Sequence, residues 1–295
     1  MHVTRTLASL ALLSCFGRAT SAQVKLEKRY QLDMDGAVRI HNSNGTVTIR
    51  GWDKDSIRVT GTIAAKDLSS WFGGGGGGGA KMGIEGSTGK APLADLTIML
   101  PARARLSVRG AATTIDIRDF AGTVDATTLS GRLHIAGAPT EVMAETMDGD
   151  LEIEASPSFL RGRTATGRIT WIGASDDVTM VTVGGAIALS GTTLYRARIE
   201  TISGDIKFSG TVKPEGRVTF DTHAGDITVG FSKSTVAELA YDAPRGAVFG
   251  AEFTRDAKGS GLKYTGVPKG GLDGKVREAT VSATTFKGRL TVTQP

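Results

Sequence analysis

The side chains best placed to do chemistry in this chain are acids set beside recurring glycines. Asp148 and Asp150 occur in "TMDGDLEI", Asp205 in "TISGDIKF" and Asp226 in "THAGDITV". Carboxylates so spaced could hold calcium, and Asp205 and Asp226 would stand about 5 Å apart if successive units stack. Asp is also an ordinary turn residue, and the acid is replaced at Arg132, Arg168, Ala186, Ala247 and Arg289. No metal site is therefore assigned. Glu141, Glu145, Glu152 and Asp116 could act as the paired carboxyls of a polysaccharide-cleaving wall, but they alternate with cations and form no cluster in the sequence. His41, His134 and His223 read as isolated surface residues. The last two would lie five units and more than about 20 Å apart, too far for a shared metal or proton relay. "GSTGK" at 86–90 looks like the end of a phosphate-binding loop. However, Ile84 occupies the position of the required first glycine and Ala91 that of the magnesium-binding hydroxyl. Trp52 could stack on a sugar if exposed, although a cap over the first unit is preferred. The sequence thus assigns no catalytic, cofactor-binding or metal residue.

What positions these residues is a repeat. Taking the glycine of "ETISGDIKFSG" as zero, the unit is centred on Gly131, Gly149, Gly167, Gly185, Gly204, Gly225, Gly246 and Gly288, at steps of 18, 18, 18, 19, 21, 21 and 42. The last step is twice 21, which leaves room for one degenerate unit. Periods near 20 mark repeat architectures. Seven, five and three residues before the glycine lie columns typified by Val142, Ala144 and Thr146; two and four after it lie Leu151 and Ile153. Each flank is a period-two strand with one buried face. Inward parity changes across the glycine, so the chain must turn there, and glycine suits a corner that needs positive φ. "TTIDIR" places Ile115 and Ile117 in the last two columns, and "NSNGTVTIRG" places Val47 and Ile49 there.

Two folds satisfy these columns. The preferred one is an all-β parallel β-solenoid, β-helix-like, built of two-strand coils of about 18–21 residues, in which like residues stack into a continuous core. The alternative is an antiparallel meander closed as a barrel or sandwich, because an open one would expose a wide apolar face that no helical segment covers. In the stacked fold the threonine column could hydrogen-bond along the axis. The clearest repeats span 124–250. Seven consecutive glycines at 73–79 interrupt the pattern and predict a flexible insertion over about 63–94.

Composition agrees with this. There are 40 Gly, only 8 Pro and 40% apolar residues, which suits many tight turns around aliphatic strands. The N-terminus has Arg5, an apolar run from Leu7 to Leu13, and Thr20 and Ala22 before a cut at Gln23. It reads as a signal peptide over 1–22, followed by a single β-repeat domain over 23–295. A variant reading makes Cys15 in "LLSC" the lipidated first residue of a lipoprotein. Cys15 is the only cysteine, so disulfides and thiolate metal sites are excluded. No segment reaches bilayer-spanning length. Loss of Arg5 and Arg18 lowers the formal charge from +5 to +3, and the remaining cations are interspersed with acids, which argues against nucleic acid as partner.

"IHNSNGTVTIRGWDKDSIRV", "ETMDGDLEIE", "ETISGDIKFSG" and "DTHAGDITVG" resemble the bacterial DUF4097 family, exported β-strand-repeat proteins described as "putative adhesins". The resemblance covers about residues 36–62 and 95–295. It implies a secreted or envelope-associated scaffold and brings no catalytic residues with it. The expectation is a non-enzymatic extracytoplasmic protein of the periplasm, cell surface or secretome that needs no cofactor. It would bind an envelope protein or glycan, or act as a spacer. The alternatives are a polysaccharide-processing enzyme of β-helix type and a self-assembling scaffold.

Overall fold

A computed structural model describes residues 23–64, 68–74, 77–86, 92–249, 253–255, 261–264 and 278–293. Every regular element among them is a β-strand. Successive units pair in parallel and in register: Val142 lies between Val124 and Leu160, and Leu151 between Leu133 and Ile169. The fold is the expected parallel β-solenoid, and this register sets aside the closed antiparallel meander. Each coil lays one strand on a first wall, turns at the glycine, and lays a second strand on a second wall. The inward columns form one core in which Leu151, Trp171, Met180 and Phe220 are fully buried. Val47 and Ile49 stack on Ile115 and Ile117, which extends the second wall back to Gly45.

The column five residues before the glycine holds Ala126, Ala144 and Gly162 in the earlier coils and Met180, Ile199 and Phe220 in the later ones. Phe208, Phe220 and Phe231 pack with centroids 5.4 and 6.2 Å apart. The wider coils take extra residues where the register shifts, between Ser190 and Thr192 and between Leu194 and Arg196, on the side away from the glycine corner. This accounts for the drift of the period from 18 towards 21.

The corner differs from expectation in its physical cause. Gly131 has a φ of 115°, but Gly149, Gly167, Gly185, Gly204, Gly225 and Gly288 do not adopt positive φ. They are glycine because the coils approach so closely. A Cβ on Gly185 would lie 1.7 Å from the carbonyl oxygen of Gly167, and one on Gly204 1.7 Å from that of Gly185. The buried threonines hold this contact. Thr201 Oγ1 accepts from the N–H of Gly204 at 3.1 Å and donates to the carbonyl of Gly185 at 3.2 Å. Thr164, Thr182, Thr222 and Thr285 repeat both bonds. The threonine column therefore links coils along the axis through corner backbone, and not hydroxyl to hydroxyl.

At both ends the spatial order of the coils departs from chain order. The strand Ala37–Trp52 lies between Arg105–Phe120 on one side and Gly79–Gly86 with Ala94–Pro101 on the other. Residues 79–86, inside the stretch read as an insertion, thus build part of the first wall, and the glycine tract contributes to the hairpin joining Leu68–Gly74 to Gly79–Gly86. Likewise Ala279–Thr285 and Leu290–Thr293 lie between the coil of Gly225 and the coil 237–249. The step of 42 is therefore an out-of-order insertion of the last coil. In the displaced coil, Ala247 and not Val248 stands opposite Leu290. This one-residue slip turns Val248 outward, 52% exposed, and removes Gly246 from the glycine stack. Antiparallel strands cover the outer edges: Leu68–Gly74, then Ser56–Ala64 and Gln23–Gln31, at one end, and Gly261–Tyr264 with Phe253–Arg255 at the other.

Candidate functional site

The acids singled out in the sequence fall into two groups. Those beside the corner are structural. Asp150 Oδ1 accepts the backbone N–H of Arg168 at 2.8 Å, Asp205 Oδ1 that of Asp226 at 2.9 Å, and Asp226 Oδ1 that of Arg289 at 2.8 Å. Asp148 Oδ1 accepts from Thr166 Oγ1 at 2.5 Å. The "G-D" phrase thus ties the three coils that carry it to the coil that stacks next on each. Among the described residues no group of three His, Cys, Asp or Glu could hold a metal ion.

On the outer face of the first wall, Glu145 lies 4.0 Å from Arg163, directly opposite it on the next strand, and on the second wall Glu152 lies 3.2 Å from Arg132. Glu141 stands exposed at the start of its strand. Asp116 and His134 occupy the same outward position on adjacent coils, and His134 Nδ1 lies 2.6 Å from Asp116 Oδ1. A carboxylate only accepts, so Nδ1 carries the proton. Arg118 Nε donates to both oxygens of Asp116 at 2.9 and 3.1 Å. His134 is 9% exposed, which corrects its reading as an isolated surface residue. The signal lay in the columns, because Asp116 follows Ile115 as His134 follows Leu133. The next residue along the row is Glu152, and Thr48 flanks Asp116.

Burial by itself raises the Asp116 carboxyl, but the hydrogen bonds from His134 and Arg118 more than offset this and leave it below its ordinary value. Arg118 is raised in turn, chiefly by its hydrogen bond to Asp116. A carboxyl depressed in the folded state stabilises fully above its unfolded value of about 3.9, and this contribution is lost as pH falls through the folded value. Asp116→Asn is accordingly expected to cost about 1 kcal/mol near pH 6, with the deficit shrinking towards about pH 3. Urea titrations of both proteins across that range would check it.

The other histidines lie elsewhere. His41 is on the first wall, with Ser43 Oγ 3.4 Å from its Nε2. His223 is exposed at a corner and stacks on Phe286 at 5.1 Å. Trp52 donates to the carbonyl of Ser56 at 2.8 Å and has Lys54 5.2 Å from its ring centroid, so that face is not open to a sugar. Trp171 lies in the core and donates to the carbonyl of Ala155 at 2.9 Å. Residues 1–22, with Cys15, and residues 87–91, with most of "GSTGK", lie outside the described residues.

Two surface features escaped the column analysis. The first is a ridge two residues before the corner glycine, where Leu129, Met147, Val183, Ile202 and Phe286 are 50–62% exposed. Ala165 and His223 fill the intervening coils. The ridge was legible as one more column, but only the inward columns attract notice. The second is a cleft of about 240 Å³ on the first wall, where Arg39, His41, Lys81, Ser107 and Arg109 surround Ile40 and Met82. Its register was hidden because residues 79–84 pair with 37–42 across the glycine tract.

These features define the molecule as an all-β parallel solenoid with a filled core and a linear outer surface. No family model matches the chain, and no curated protein matches it. Among solved structures, a "putative adhesin" from Bacteroides fragilis is 11% identical, with a TM-score of 0.44 over 93% of this chain and 99% of that one. A "putative lipid binding protein" from Parabacteroides distasonis is 12% identical, with a TM-score of 0.40 over 90% and 96%. A "putative cell adhesion protein" from Clostridium sporogenes is 10% identical, with a TM-score of 0.25 over 92% and 100%. At these identities and scores the likeness assigns no role to this chain. No helix among the described residues is long and apolar enough to cross a membrane.

Proposed function

We propose that this chain is a non-enzymatic, exported β-solenoid of the DUF4097 type that acts in the cell envelope or at the surface as a binding scaffold. Its partner is another envelope component, a glycan or a protein. Residues 1–22 serve as the export signal. The observation that carries the binding role is the corner ridge. Five large apolar side chains are each at least half exposed, in a column whose coils are about 4.8 Å apart and in which Ala165 and His223 fill two of the coils. A column of exposed apolar side chains aligned along one edge marks an interaction site, and a wall ordered in advance loses little entropy when it docks. Capped ends support a chain acting singly and not by end-to-end stacking. The outermost strand, Gln23–Gln31, carries Lys25, Glu27, Lys28 and Arg29, charges that discourage edge pairing.

The test is sedimentation of purified residues 23–295 with isolated envelopes. A triple variant, Met147→Ser, Val183→Ser and Ile202→Ser, is expected to bind at least about tenfold more weakly. Equal binding would remove the ridge from the function. The enzymatic reading has its own residues in Asp116, His134 and Arg118. New reducing ends from envelope polysaccharide, abolished by Asp116→Asn, would overturn the scaffold reading. The mass of the mature N-terminus separates cleavage before Gln23 from lipidation at Cys15.

A further inference from the structure

We propose that the last coil, 279–293, is a late-inserting switch that completes the corner ridge. In the second state the coils stack in sequence order, with the coil 237–249 directly on the coil of Gly225 and the last coil withdrawn. The switch regulates the ridge and so rests on the ridge being the binding surface. Two occupants fit one face. On the first wall Val218, Val281 and Leu239 lie in one column, as do Phe220, Ala283 and Tyr241. Withdrawal of the middle strand therefore brings Leu239 onto Val218 with no change of register. Beyond the corner, Gly246 follows Gly225 by 21 residues, the step that separates Gly204 from Gly225. Gly288 holds the place on Gly225 instead: a Cβ there would lie 1.9 Å from the Gly225 carbonyl oxygen, whereas one on Gly246 would meet nothing within 4 Å. The joint between the coil 237–249 and the last coil is out of phase, since Ala247 stands opposite Leu290 and Val248 is left 52% exposed.

The inserted order wins on contacts. Val281, Leu290 and Val292 are fully buried, and Thr285 Oγ1 donates to the carbonyl of Gly225 and accepts from the N–H of Gly288, both at 2.9 Å. Ala243 occupies the threonine column of the coil 237–249 and can make neither bond. Sequence order comes first in time. A solenoid coil needs only its neighbour, and a chain made from its N-terminus offers 237–249 to the open face before 279–293 exists. Closure in that order covers the apolar columns of the coil of Gly225, so the core is not left bare while the last coil is out. Insertion then exchanges one packing of the sequence for another. The ridge reads the difference. Two residues before Gly288 stands Phe286, 62% exposed and stacked on His223 at 5.1 Å; two before Gly246 stands Pro244. The ridge gains its terminal aromatic only with the last coil in place.

Cysteine pairs in the full chain carrying Cys15→Ser test this. Thr219, Ser282 and Ala240 form one outward row across three strands. In the inserted order Thr219 and Ala240 stand about 10 Å apart, too far for a disulfide, and in sequence order they are neighbours. Oxidative refolding of Thr219→Cys/Ala240→Cys is expected to give a bridged, folded form, most abundant early. Thr219→Cys/Ser282→Cys should bridge later and almost completely. Thr179→Cys/Thr219→Cys, also two strands apart across Arg198, has no alternative order and should not bridge. Bridging through 219 and 282 with none through 219 and 240, or equal bridging by the two separated pairs, overturns the proposal. The form bridged through 219 and 240 should sediment with isolated envelopes at least about threefold less well than the form bridged through 219 and 282. Equal attachment of the two would remove the last coil from control of the ridge. If the wild type does not attach at all, the ridge reading fails, and the bridges still decide between one stacking order and two.

Discussion

Alanine at Gly185 is expected to destabilise the protein by about 3 kcal/mol or more, whereas alanine at the adjacent Gly184 should change stability by less than about 1 kcal/mol. The two residues are adjacent in "VTVGGAI", and only Gly185 keeps the column spacing. A Cβ on Gly185 would meet the carbonyl oxygen and carbon of Gly167 at 1.7 and 2.5 Å and Thr182 Oγ1 at 3.0 Å. The Gly167 atoms belong to a backbone ladder that cannot yield without opening the coil stack, and Thr182 Oγ1 is held by its own bonds to that ladder. At Gly184 the nearest atoms lie 3.9 Å away or more, and φ is not positive. Loss of glycine's freedom in the unfolded chain even favours the folded state there. Chemical denaturation of the two variants reads the difference directly, and equal midpoints would refute close axial stacking as the reason for the glycine column.

Leu151→Asp should prevent folding, at a cost above about 4 kcal/mol, while Glu152→Lys should cost within about 1 kcal/mol. Leu151 is fully buried between Leu133 and Ile169. Aspartate there loses the apolar contacts and places a carboxyl in the core with no partner. Its neighbour Glu152 faces outward, and its pair with Arg132 at 3.2 Å is partly solvated. Circular dichroism and urea midpoints of both variants would check this, and similar losses would overturn the inward assignment.

Much of the candidate surface could be read in the same columns that identify the core. Asp116 and His134 share an offset from their neighbouring isoleucine and leucine, and Leu129, Met147 and Ile202 share another. The spacing itself could not reveal that Nδ1 of His134 closes to 2.6 Å on Asp116, because rotamers and burial decide that. Nor could it show that Asp205 and Asp226 each accept a backbone N–H from the following coil, which gives these acids a role in stacking. The cleft was less accessible still. It needs Lys81 beside Arg39, and no repeat period relates those two residues.

Alone, the sequence determined the coil: which residues face inward and where the chain turns, with parallel stacking the preferred of two arrangements. Those properties are local and repeat every 18 to 21 residues, so each unit restates them. Only the tertiary structure decided the order in which the end coils stack. Every coil offers its neighbours the same apolar columns and the same unpaired ladder, so the contacts between coils scarcely distinguish chain order from an inverted one. What sets the ends apart is the antiparallel strands that cover them. The same ambiguity hid the slip that turns Val248 outward and the row that brings Lys81 to Arg39.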